Sequence, residues 1–211
     1  MEETASITQK KAHTWEISGK EESLCLTLGF SGEATPKEKT FAQVQEDSCA
    51  RWKAFWKDCG MIDLEGSKDP RAAELERRIV LSQYLLAPPQ ETGLTCNSWY
   101  GKFHLEMYPW HCAWAALWNE SQMLKGSLNW YLEHLDKARE NAACNGYKGA
   151  RWPKMVDRDG VDSPSVIATL LIWQQPHIIW MLSLVYGSTK DDALLEKFWD
   201  VIKETAEFMC D

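Results

Sequence analysis

Two stretches limit what this chain can become. Pro109–Trp118, "PWHCAWAALW", and Pro176–Tyr186, "PHIIWMLSLVY", each open on proline and then run apolar around nearly the whole helical circumference. A helix that is apolar on all sides cannot face water and has to be enclosed by other elements. Proline suits the first helical position, where its missing N–H costs nothing. The longer apolar run, Val166–Tyr186, is interrupted by Gln174, Gln175, Pro176 and His177. That interruption argues against a membrane span. The two helices are therefore expected inside a helical layer.

The segments between them read as amphipathic partners. Phe41, Val44, Trp52, Phe55, Trp56 and Cys59 fall mostly on one helical face behind a capping signature at Thr35-Pro36-Lys37-Glu38, and Gly60 ends the run. Asp69-Pro70 opens a helix with Leu75, Ile79, Ser82 and Leu86 in register, stopped at Pro88-Pro89. Ser121 is expected to cap a helix carrying Leu124, Leu128, Tyr131, Leu135 and Ala138 and ending near Gly146. A last helix is expected from Thr189, with Leu195, Phe198, Ile202 and Phe208 on its apolar face. Near the N-terminus, residues 13–30 alternate as two strands, Trp15/Ile17 and Leu24/Leu26/Leu28, around a turn at Ser18–Glu21. Two strands do not stand alone in water, so they read as the end of a larger sheet. Alternating buried and amphipathic helices, with long loops ahead of the buried ones, suggest a concentric helical barrel whose loops gather at one end.

Bulk properties exclude several functions. A formal charge of −8 is wrong for a nucleic-acid partner, which asks for a basic face. Seven scattered cysteines with no C-x-x-C pair indicate neither a disulfide framework nor a thiolate zinc site, and reduced buried thiols are expected. His104, Glu106 and His111 lack the spacing of a metal-binding helix, so no metal and no cofactor is expected. No charged segment followed by an apolar run opens the chain, so no signal peptide is read there, and the compartment is left open.

What stands out is tryptophan, twelve in 211 residues. Tryptophan marks either a heavy core or a stacking surface. Three loops combine it with amide and ionisable groups. The first, "SWYGKFHLE", holds Trp99, Lys102, His104 and Glu106; the second, "GARWPKM", holds Arg151, Trp152 and Lys154; the third, "WQQPH", holds Gln174, Gln175 and His177. Gln174 and Gln175 read equally as helix-end caps or as ligand hydrogen-bonders, and His111, inside an apolar run, as a packed polar residue. Indole faces beside ionisable groups suit a sugar, whose C–H face stacks while its hydroxyls bridge lysine, histidine and carboxylate. A carbohydrate is the expected partner and these ten residues the expected sugar-binding set, of which Trp99, Lys102, His104, Glu106, Arg151, Trp152, Gln174 and Gln175 are expected to point into one shared concavity.

The segments "PPQETGLTCNSWYGKFHLEMYPWH", "GYKGARWPKM" and "LIWQQPHIIW", in this order, resemble bacterial proteins related to glycoside hydrolase family 65. That group belongs to the six-hairpin glycosidases. The resemblance implies an (α/α)6 barrel behind an N-terminal β-sandwich. It further implies that residues 1–34 are the sandwich's last strands, 35–68 a linker helix and loop, and 69–211 the first part of the catalytic barrel. The implied activity is inverting glycoside hydrolysis, with sugar phosphorolysis as an alternative and a non-catalytic carbohydrate-binding module as a third reading. Glu106 matches the glutamate of the family's aromatic-Asp-x-Glu segment, with His104 where the aspartate is expected, and Lys154 stands where the family has a tryptophan. The family's proton-donating glutamate lies on a later segment, so Glu106 is expected to orient substrate.

Overall fold

In the computed structural model the chain is mainly helical. Residues 5–19, 26, 39–87, 98–99, 102–163, 167 and 170–211 are described, with backbone only at Ser98, Trp99 and Lys102. The chain divides into two units, Met1–Lys57 and Asp58–Asp211.

In the first unit, β1 (Ala5–Lys11) and β2 (Thr14–Gly19) form an antiparallel pair in which Ile7 stands opposite Ile17 and Gln9 opposite Trp15. The strand expected at Trp15 and Ile17 is present, but its partner precedes it in sequence. Ile7 is the only large apolar residue of β1, so no alternation announces that strand. The expected turn at Ser18–Glu21 is replaced in part by β2, which continues to Gly19; residues 20–25 and 27–38 lie outside the described residues. Helix α1 (Phe41–Asp58) starts behind a reciprocal cap. Gln43 N donates to Thr40 Oγ1 at 3.3 Å, and Gln43 Oε1 accepts from Thr40 N at 2.9 Å. The box expected at Thr35–Glu38 falls outside the described residues. Along α1, Trp52 and Trp56 stack at 6.2 Å, and Phe55 meets both edge-on.

The second unit contains α2 (Ala72–Leu86), β3 (Ser98–Trp99), β4 (Lys102–His104), α3 (Tyr108–Leu117), α4 (Lys125–Glu133), α5 (Leu135–Ala143), β5 (Met155–Val156), α6 (His177–Thr189) and α7 (Asp192–Cys210). Short 3-10 turns, Leu105–Met107 and Ser121–Leu124, lead into α3 and α4. Its core is built by α3, α4, α6 and α7 around Tyr108, Tyr131, Met181, Leu182 and Phe198. Each such side chain taken from water contributes about 1.5–3 kcal/mol.

The two apolar helices are enclosed on one side only. Tyr108, Cys112, Ala115 and Ala116 of α3 pack with Ile178, Met181, Leu182 and Val185 of α6, while Trp110 and Leu117 remain exposed. The helix expected from Ser121 to near Gly146 is two helices. The break falls at His134, whose backbone N and ring Nδ1 both donate to Trp130 O, at 3.0 and 2.8 Å, while its ring stacks on the Trp130 indole. Ser121 does not cap by its side chain; its hydroxyl bonds Ser188 Oγ instead. The last helix starts later than expected, because Thr189 still belongs to α6 and Lys190 turns the chain with φ 54°. Asp191 is the true N-cap, its carboxylate accepting from Ala193 N at 3.1 Å.

Five cysteines are described, all free. Cys59 and Cys112 are buried as expected, whereas Cys49, Cys144 and Cys210 are exposed. Among the described residues no helix is long and apolar enough to cross a membrane.

Candidate functional site

The first and second loops come together through a small sheet. β3 and β4 pair antiparallel, Trp99 opposite Lys102, and β4 pairs antiparallel with β5, Phe103 opposite Val156 and His104 opposite Met155. The short strands deliver Lys154 beside Glu106, at the point where the chain enters α3. Lys154 Nζ lies 3.0 Å from Glu106 Oε2, and Glu106 N donates to Lys154 O at 3.4 Å. Glu106 sits in the 3-10 turn preceding α3, where a carboxylate interacts favourably with the helix N-terminus. His104 Nδ1 lies 3.8 Å from the same Glu106 oxygen.

The third loop joins from the start of α6. His177 Nδ1 donates to Leu105 O at 3.3 Å, and its ring meets the Trp173 ring edge-on at 5.7 Å. Burial pushes the pKa of both histidines down. For His104 the positive charge of Lys154 and the neighbouring His111 add to the depression while Glu106 opposes it. For His177 the bond to Leu105 and the charge of Glu106 oppose it. One carboxylate, one ammonium and two imidazoles are thus gathered at the N-terminal ends of α3 and α6.

The Lys154–Glu106 contact is an ion pair without hydrogen-bond geometry, so Glu106 Oε2 is a buried acceptor with no hydrogen-bond partner among the described residues. The Lys154 ammonium is the ionic partner of that oxygen, which can still accept a hydrogen bond from a further donor. Among the described residues no group of three or more metal-ligating side chains occurs.

Other expected site residues serve the fold. Trp152 is 2% exposed; its indole N–H donates to Thr205 Oγ1 at 2.8 Å and its ring packs edge-on to Tyr131, so it offers no open stacking face. Gln175, fully enclosed, reads the loop backbone with both ends of its amide. Its oxygen accepts from Trp152 N and its nitrogen donates to Ala150 O at 3.0 Å. Gln174 Nε2 donates to Trp152 O at 3.2 Å and to Leu171 O at 2.7 Å. Arg151, also buried, pairs with Asp162 at 3.1 Å. These four residues knit the second loop to the third and to α7, and the single concavity expected from the sequence is corrected accordingly: Trp152, Gln174 and Gln175 are enclosed. Buried polar groups require partners, and here the backbone provides them.

Gly149 explains the loop's course. It has φ +72°, and a Cβ there would lie 2.2 Å from Glu204 O and 2.6 Å from Phe208 N. The close backbone approach that glycine permits is an approach to α7. The side chains of Trp99 and Lys102 lie outside the described residues.

Sequence reasoning overlooked Trp114 and Trp180. With Trp110, Pro109, Ala113 and His177 they line a cavity of about 360 Å³ against the polar cluster. The i, i+4 spacing of Trp110 and Trp114 was the available signal.

No protein-family model matches the sequence. The chain is similar to the kojibiose hydrolase of Flavobacterium johnsoniae, 25% identical over 170 residues, which cover 74% of this chain and 24% of that protein. The chain therefore spans about a quarter of the length of the relative it matches. At this distance the similarity is that of a remote relative of a glycoside hydrolase.

Proposed function

We propose that this chain supplies sugar-binding loops of an inverting glycoside hydrolase, with its helices forming the first half of an (α/α)6 barrel. Residues 1–34 would be the last strands of a β-sandwich, 35–68 the connecting helix and loop, and 69–211 the barrel portion. The observation that carries the reading is the assembly of His104, Glu106, Lys154 and His177 from three loops at the N-terminal ends of the two apolar helices, with acceptor capacity left on the ion-paired Glu106 carboxylate. A carboxylate with acceptor capacity to spare suits a sugar hydroxyl. In this reading Glu106 orients the sugar and does not donate the proton to the leaving group. Inversion requires an acid and a base on opposite faces of the scissile bond, and neither role is assigned to these four side chains.

The ion pairs favour hydrolysis over phosphorolysis. Arg151 is engaged by Asp162 and Lys154 by Glu106, so two cations that would hold phosphate are already neutralised. The relative's named substrate, kojibiose, is the natural first probe. Kojibiose given to the full-length protein should yield free sugar, released with inverted anomeric configuration by proton NMR, at a rate indifferent to phosphate. Phosphate-dependent formation of a sugar 1-phosphate would transfer the reading to a phosphorylase. Binding without turnover would transfer it to a carbohydrate-binding module.

A further inference from the structure

The cavity beside the polar cluster has walls of a particular kind. Trp114 is held by its own N–H, which donates to His111 O at 3.0 Å, so its indole faces the cavity with its polar edge already used. Trp110 and Trp180 stand 69% and 47% exposed and both line the cavity, so indole surface there is open to a ligand. The fourth wall is His177, anchored through Nδ1 to Leu105 O, which leaves the Nε2 side of the imidazole as the remaining polar edge. At about 360 Å³ the cavity falls within the usual range for small-molecule sites, and among the described residues no lysine or arginine lines it.

An apolar plug, such as a leucine-rich helix, would satisfy the indoles but strip water from His177 beside the Glu106 charge, which costs free energy without a compensating bond. An anion would meet no cation among the described lining residues, and beyond His177 it would meet the Glu106 carboxylate, which already engages Lys154. A pyranose satisfies both parts, with a C–H face for the indole planes and hydroxyls at its rim for the imidazole. We propose that the cavity formed by Trp110, Trp114, Trp180 and His177 is a stacking subsite for a neutral pyranose ring, with the ring's hydroxyls turned toward His177 and Glu106. This inference rests on the carbohydrate reading above. It moves the stacking platform from Trp152, which is enclosed, to the first turns of α3 and α6.

The test uses the full chain with its tryptophan indoles labelled with nitrogen-15, titrated with kojibiose and, separately, with glucose. Indole signals assigned to Trp110, Trp114 and Trp180 should shift together. Trp110→Ala and Trp180→Ala should weaken binding at least tenfold with unchanged unfolding midpoints, and Trp110→Phe, which keeps a flat ring, should restore most of it. Glu106→Gln provides the second arm. If Glu106→Gln weakens binding while both alanine variants bind as wild type, the subsite is overturned and the carbohydrate reading stands. If neither sugar binds the unmodified chain at millimolar concentration, both fall.

Discussion

Glu106 and Lys154 are tied to each other twice: side chain to side chain at 3.0 Å, and Glu106 N to Lys154 O at 3.4 Å. The backbone tie holds the second loop against the turn that begins α3. The ionic tie places a cation beside a carboxylate that is largely shielded from water. Lys154→Met keeps the stem and removes the charge, leaving Glu106 unpaired. The expected loss is about 1–3 kcal/mol of unfolding free energy, the cost of removing the counter-ion from a shielded carboxylate. Urea denaturation measures it. Lys154→Arg should recover most of the loss, and a Met variant as stable as wild type would mean that the pair contributes nothing.

Gly149 and Glu204 approach so closely that no other residue fits between them. A Cβ at position 149 would meet two α7 backbone atoms, and φ +72° is itself unfavourable for any L side chain. Gly149→Ala should cost more than about 2 kcal/mol, since left-handed backbone strain alone is of order 1–3 kcal/mol. Thermal unfolding checks this, and a variant within a few tenths of a kcal/mol of wild type would contradict the described course of the loop.

Gln175 bonds both Trp152 N and Ala150 O from a fully enclosed position. Gln175→Leu preserves the approximate volume but leaves two buried backbone groups without partners. The expected destabilisation is about 2–6 kcal/mol, the sum of two penalties of about 1–3 kcal/mol each. Sugar affinity per folded molecule should be little changed, which separates a scaffold residue from a ligand-binding one. A variant of normal stability and impaired binding would restore the ligand role expected from the sequence.

The histidines and Glu120 give opposite pH dependences. His104 and His177 have pKa values lowered by burial, so the unfolded chain takes up protons first as pH falls below about 6.5. Stability is therefore full above that pH and is lost below it. Glu120 has its pKa raised, first by burial and then by the charge of Asp58. Its folded form takes up a proton first, so this group's destabilisation is fully present at neutral pH and is relieved as pH falls through its folded pKa. His177→Gln should flatten the loss below pH 6.5, and Glu120→Gln should stabilise the protein at pH 7. Unfolding midpoints between pH 5 and 8 for the three proteins decide both signs.

Much of the helical framework was legible because apolar period and proline placement act locally. Proline at 109 and 176 and glycine at 60 marked element ends to within a few residues of where they lie. What escaped reading depends on side-chain and strand contacts that apolar period does not report. The break at His134 coincides with its ring stacking on Trp130, and β1 is a polar strand defined by its partner. The same holds for the site. Glu106, His104, Lys154 and His177 were legible as ionisable groups next to indoles, but Trp152 and the two glutamines carry the same local signature for a different reason. Their amide and indole polar atoms face backbone and Thr205, and no neighbour in sequence reveals that.

The claim that the His104–Glu106–Lys154–His177 cluster holds a sugar is tested most directly by isothermal titration of kojibiose into wild type and Glu106→Gln, both confirmed folded. Wild type should bind, and the variant, which removes the carboxylate charge while keeping its shape, should bind at least tenfold more weakly, since hydrogen bonds to a charged acceptor are worth about 1.5–3 kcal/mol. Equal affinity in the two proteins would contradict the assignment.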